Sequence, residues 1–237
     1  MNLIFIRHAE PDYAHDSLTE KGWREAELLA KRTAAWSVEQ YYVSPLGRAR
    51  ATAQPTLDRL GRAAEVLPWA HEFDAPVLDP DSGERRIPWD LLPAYWTEQR
   101  ALYDIDAWAD APLMRTGAVK AEYDKVCAGL DELLARHGYV RSGRYYRAQP
   151  GGDGTIVLFC HLGVMMVMLA HLLGATPLQM WHGFFVAPSS VTVLSTEQRA
   201  GDAAFFRCQM LGDTGHLRAG GEPVSHMGSY AKEVFQG

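Results

Sequence analysis

The apolar positions fall into short runs separated by turn signals, and their period changes along the chain. Residues 3–6 form a continuous apolar run that stops at Arg7, the pattern of a short buried strand. Residues 7–17 are loop-like, with Pro11 and several polar side chains. Thr19 suits the cap of a helix that carries Glu20, Trp23 and Ala26 and runs towards Trp36. Residues 41–43 predict a second strand ending at Ser44-Pro45, a helix follows over about 46–60, and residues 64–67 predict a third strand. The rhythm then breaks. Pro76, Pro80, Pro88, Pro93 and Pro112 punctuate residues 73–117, together with Trp89, Trp96 and Trp108, so this stretch reads as an inserted excursion with a helix of its own around 94–108. Beyond it the pattern predicts a long helix over 118–137, a hairpin over 139–146, a strand over 155–160, a helix over 164–173, and late strands over 190–195 and 204–210.

Strands alternate with helices over most of the chain, which argues for an α/β fold: a three-layer α/β/α sandwich around a mainly parallel sheet. No internal repeat or linker divides it, so residues 1–237 are expected to form a single domain, with an inserted helical and loop region after the third strand, about 73–117, covering the substrate. The 237 residues are 47% hydrophobic and 22% charged, as in an ordinary globular protein. A net charge of -6 argues against nucleic acid or anionic membrane as partners. Cys127, Cys160 and Cys208 are odd in number and widely spaced, which fits reduced thiols in the cytoplasm, and the first apolar run is too short for a signal peptide. Residues 156–175 are almost continuously apolar, but His161, Gly163 and His171 interrupt them, so a buried strand, turn and helix is expected rather than a membrane span. His182, His216 and His226 show no metal-ligand spacing, and Asp213-Thr214-Gly215-His216 reads as a turn; neither metal nor cofactor is expected.

In open parallel sheets, ligands bind beyond the carboxyl ends of the strands. Arg7 and His8 end the first strand, Arg48 follows the second, His71 and Glu72 follow the third, and His161 ends the strand at 155–160. Guanidinium groups match the oxygens of a phosphoryl group, a neutral imidazole can attack phosphorus, and a carboxylic acid can protonate a departing oxygen. No P-loop is present.

Four segments carry a family likeness. Arg7-His8-Ala9-Glu10-Pro11 is similar to the Arg-His-Gly-Glu signature of the histidine phosphatase superfamily, the phosphoglycerate mutase-like enzymes. Leu18-Thr19-Glu20-Lys21-Gly22 with Glu25-Ala26 resembles its Leu-Thr-x-x-Gly-x-x-Gln-Ala segment. Ser44-Pro45-Leu46-Gly47-Arg48-Ala49 with Thr52-Ala53, and Cys160-His161-Leu162-Gly163-Val164, resemble two further motifs in the same order.

The resemblance implies a metal-independent phosphatase, a phosphoric monoester hydrolase of histidine acid phosphatase type, that acts on a small phosphorylated molecule through a phosphohistidine. It implies His8 as nucleophile, Arg7, Arg48 and His161 as holders of the phosphoryl oxygens, and Glu72, in Trp69-Ala70-His71-Glu72-Phe73, as proton donor. Glu84 is the rival donor. Two alternatives share the pocket: phosphoglycerate mutase-type transfer, and an inactive module that binds a phosphorylated ligand. A homodimer is left open. The chain departs from the pattern at Ala9, at Glu25 where Gln is common, and at Leu162 in place of Gly, where the side chain enters the phosphate-binding segment. It also departs at Ala14, where Asn is common, with Ser17 a substitute contact.

Overall fold

The computed structural model describes residues 1–229 and 231. In chain order the elements are β1 (Asn2–Arg7), β2 (Pro11–Asp12), β3 (Ser17–Leu18), α1 (Glu20–Thr33), β4 (Gln40–Val43), α2 (Gly47–Leu60), β5 (Ala64–Val66), β6 (Val77–Leu78), β7 (Arg85–Arg86) and α3 (Pro93–Trp96). Then follow α4 (Val119–Arg136), β8 (Tyr139–Ser142), β9 (Tyr145–Ala148), β10 (Thr155–Cys160), α5 (Leu162–Leu173), α6 (Pro177–Gly183), β11 (Val191–Gln198), β12 (Ala203–Asp213) and α7 (Gly215–Gly220). Among the described residues the main sheet has the order β5-β4-β10-β1-β11-β12-β9-β8. β5, β4, β10 and β1 are parallel neighbours, and this parallel half carries the candidate site; the strands from β11 onward pair antiparallel.

The apolar run of β1 is buried on both faces because successive side chains point to opposite sides of a strand. Leu3 and Phe5 enter the larger core with Val126 and Leu130 of α4 and with the methionines of α5. Ile4 and Ile6 enter a second core with Leu29 of α1 and Ala53 and Leu57 of α2. Helices therefore cover both faces of the sheet. The long apolar stretch resolves into β10 and α5, closed by Gly174 at φ 71°, the left-handed C-cap expected of glycine. Helix α5 is apolar all round because both sides are covered. No helix among the described residues is long and apolar enough to cross a membrane.

Local chemistry explains where elements end. Thr19 caps α1 by accepting the Gly22 N–H at 3.0 Å. Residue 22 must lack a side chain, since a Cβ there would lie 2.2 Å from the Glu10 carbonyl oxygen. The helix ends at Thr33, short of Trp36. The helix expected around 94–108 is broken into α3 and short 3-10 turns. Asp104 accounts for the break after Tyr103: its Oδ1 accepts from the N–H groups of Asp106 and Ala107, at 2.9 and 3.2 Å, competing with helical bonding. Buried Phe73, Leu102, Trp108 and Met114 pin this excursion to the core. Residues 7–17 include one strand and part of a second, since β2 and β3 pair in a small hairpin. After β12 the chain returns to the carboxyl end of β1, where Ser225 Oγ donates to Glu10 Oε2 at 2.7 Å.

Candidate active site

The carboxyl ends of β1, β4 and β10 lie side by side and present His8, Ser44 and His161. Both imidazoles are buried, and their ring centroids are 5.1 Å apart. The Nδ1–H of His8 donates to the Ala9 carbonyl at 2.8 Å, which leaves the Nε2 lone pair free to react. Burial, with Arg7 and Arg48 adding to it, lowers the His8 pKa to about 3, so the ring is neutral over the ordinary pH range. Burial also holds His161 well below the usual range, reinforced by His8 and Arg48. Ser44 Oγ accepts the Leu46 N–H at 3.3 Å and lies 2.7 Å from His161 Nε2. Ser44 thereby fixes the Nε2 side of the His161 ring and leaves Nδ1 facing away from that contact.

Arg7 is buried; its Nη1 donates to the Val186 carbonyl at 2.6 Å and its Nη2 to the Met227 carbonyl at 3.3 Å. Arg48 Nη1 donates to Asp16 Oδ1 at 2.8 Å. The Asp16 carboxylate also accepts the Gly47 N–H at 2.6 Å, so it sits at the N-terminus of α2 as well. Against the opposing effect of partial burial, the Gly47 N–H and Arg48 hold its carboxyl below the usual range. Thr52, one turn after Arg48, accepts the Ala9 N–H at 2.9 Å and donates to the Arg48 carbonyl at 2.8 Å, tying α2 to the loop after His8. Among the described residues Arg7 Nε, Arg48 Nε and His161 Nδ1 are buried without a hydrogen-bond partner. Buried guanidinium N–H groups left unpaired are costly, so the two arginines are set to bind an anion between them and the imidazoles.

Glu72 lies at the rim beside α5. Its Oε1 accepts the N–H groups of Phe73 at 2.8 Å and Val164 at 2.9 Å, and its Oε2 the Gly163 N–H at 3.3 Å. It thus caps α5 across the site, a task that His161, the preceding residue, leaves unfilled. Glu84 is exposed in the turn between β6 and β7, where its carbonyl accepts the Asp79 N–H. His71 turns to α4, with Nε2 2.9 Å from Lys125 and 3.1 Å from Glu122. Ser17 pairs through its backbone with Asp12 in the small hairpin, and the neighbouring Asp16 reaches Arg48. Leu162 packs against the larger core as the first residue of α5. His171, on the far part of α5, has its Nε2 2.9 Å from Asp131 Oδ1. His216 reaches the site indirectly: its Nε2 is 3.2 Å from Ser189 Oγ, and the Ser189 N–H donates to the His8 carbonyl at 3.1 Å. Among the described residues no group of His, Cys, Asp or Glu side chains is arranged to hold a metal.

Glu25 has no exposed surface, and its Oε2 accepts the Glu10 N–H at 2.9 Å. Burial pushes its carboxyl up from 4.5 to about 7, so near neutral pH it partly resembles the amide of glutamine. A folded-state pKa above the unfolded one gives stability that is full below pH 4.5 and lost as pH rises through 7. Glu25→Gln is expected to remove that slope. In urea titrations the wild type should lose about 2–3 kcal/mol more than the variant between pH 5 and pH 8. Parallel pH dependences of the two proteins would contradict the account.

A family model of the histidine phosphatase superfamily (branch 1) matches residues 3–208. No match was found among curated protein sequences. Among solved structures, phosphoserine phosphatase of Entamoeba histolytica is 20% identical, with 91% of this chain and 98% of that one covered and a TM-score of 0.60. Mycobacterial glucosyl-3-phosphoglycerate phosphatase is 19% identical over 89% of this chain and 98% of its own, at a TM-score of 0.60. The α-ribazole phosphatase of Shigella flexneri is 22% identical over 90% and 97%, at 0.54. At these identities the likeness is one of fold.

Proposed function

The chain belongs to the histidine phosphatase superfamily, and from that premise we propose that it hydrolyses small phosphomonoesters through a phosphohistidine at His8. The observation that carries the reading is the neutral His8 ring, anchored by Nδ1 to Ala9, among buried polar atoms unpaired within the described residues, Arg7 Nε, Arg48 Nε and His161 Nδ1, the last of which donates to the phosphoryl group when its Nε2 accepts the Ser44 proton. Nε2 attacks phosphorus in line with the ester oxygen, while the two arginines and His161 stabilise the equatorial oxygens. The P–O bond breaks as the P–N bond forms, and the leaving alkoxide takes a proton from Glu72. Oε2 accepts the longest of the three N–H contacts, at 3.3 Å, and is the oxygen less engaged with α5 and so assigned to this transfer. The resulting carboxylate then takes a proton from water, whose oxygen displaces Nε2 from phosphorus. Inorganic phosphate leaves and His8 is regenerated.

Phosphate release from a panel of phosphomonoesters tests the reading. Stoichiometric inorganic phosphate and free alcohol are expected. Transfer of the phosphoryl group to a second hydroxyl, with little free phosphate, would make the protein a mutase. Tight binding of phosphorylated ligands without turnover would make it a binding module. The reaction needs no metal in this scheme, and activity should survive exhaustive chelation. The three free thiols suit the reducing cytoplasm.

A further inference from the structure

Three aromatic side chains border the phosphoryl pocket, each placed against one of its members. Tyr13 lies over the Arg48 guanidinium at 5.5 Å from the ring centroid and is 63% exposed. Phe185 lies over Arg7 at 5.6 Å and is 42% exposed. Trp89, from the excursion, converges with Glu72 on Gly163: a Cβ at that glycine would lie 2.4 Å from the indole and 2.7 Å from Glu72 Oε1. Scattered exposed aromatics call for no explanation, but apolar surface gathered around a pocket marks a binding site.

The charged groups nearby point the same way. The Nη atoms of Arg7 are committed to the Val186 and Met227 carbonyls, and Arg48 is paired with Asp16. In the excursion, Arg85 is held on the Pro76 carbonyl at 3.1 Å and Arg86 on Asp79 at 2.7 Å. The Asp16 side chain is 44% exposed and adds negative charge beside the pocket. A carboxylate or second phosphate on the substrate would meet that charge and guanidinium groups already in use. A flat uncharged ring would meet faces that can stack on it.

We infer that the preferred substrates are phosphomonoesters whose leaving group is uncharged and bears an aromatic ring, with Tyr13, Phe185 and Trp89 setting that preference. The inference rests on the hydrolase reading. The tool compounds are 2-phenylethyl phosphate, ethyl phosphate and 3-phosphoglycerate; the first two leave as similar primary alkoxides, so their chemistry is matched. The kcat/KM for 2-phenylethyl phosphate should exceed that for ethyl phosphate by about tenfold or more, with 3-phosphoglycerate the poorest. The ratio of the first two should fall about threefold or more in Tyr13→Ala and in Phe185→Ala; any general loss from disturbing an arginine cancels in the ratio. A preference for 3-phosphoglycerate, or a ratio unmoved in both variants, would overturn the inference. If the wild type hydrolyses no ester, the hydrolase reading fails, and calorimetry with 2-phenylethylphosphonate and ethylphosphonate decides the ring preference. Tighter binding of the ring compound by about tenfold supports it, and equal binding overturns it.

Discussion

His8→Ala is expected to lower kcat on alkyl phosphates by a factor on the order of 10⁴ or more, because the covalent route is lost with the nucleophile. Binding should be affected far less. Arg7, Arg48 and His161 each retain the contacts that hold them, among them Val186 for Arg7, Asp16 for Arg48 and Ser44 for His161. The variant should therefore still bind inorganic phosphate or a phosphonate within about tenfold of the wild type, a combination that separates loss of chemistry from loss of fold. Steady-state kinetics and calorimetry on the same preparation check it. A variant that keeps a tenth of the wild-type kcat would remove His8 from the mechanism.

The second large effect is expected at Glu72 and depends on the leaving group. Glu72→Gln should slow hydrolysis of alkyl phosphates by about 10²–10⁴, the usual contribution of a positioned general acid. The loss on 4-nitrophenyl phosphate should be much smaller, because nitrophenolate departs without a proton. The glutamine carbonyl can keep the acceptance of the Phe73 and Val164 N–H groups that Glu72 Oε1 makes, so Tm should change little. Glu72→Ala removes the α5 cap as well and should cost about 1–2 kcal/mol of stability. Equal losses on both ester types would show that the side chain acts as a cap and not as an acid.

The parts of this arrangement carried by local pattern can be read in the sequence. Arg7 and His8 end an apolar run of strand length, Arg48 follows Ser44-Pro45, and His161 separates an apolar strand from an apolar helix. Topology then brings the ends of β1, β4 and β10 together. Thr52 belongs to the motif resemblance over 44–53, although its task, accepting the Ala9 N–H, becomes visible only when α2 lies beside that loop. Contacts between distant segments are a different matter. Phe185 and Val186 reach Arg7 because α6 turns the chain back to the sheet; Thr176 as cap with Pro177 and Gln179 behind it starts that helix, but nothing local sets where it delivers the chain. Asp16 takes up Arg48 from a residue at φ 45°, a conformation that aspartate tolerates better than most side chains but that nothing in the hydrophobic pattern announces. Met227 reaches Arg7 across most of the chain. The break after Tyr103 is instead local: the Asp104 side chain takes two N–H groups within three residues and so interrupts helical bonding there.

The most direct test of the central claim is to trap the intermediate. Protein mixed with a substrate labelled in the phosphoryl group should be quenched and digested, and the labelled peptide sequenced. The account predicts a label that is stable in base and labile in acid, carried by the peptide containing His8 and absent from His8→Ala. Label on another residue, or undiminished turnover with no labelled protein at any time after mixing, would contradict it.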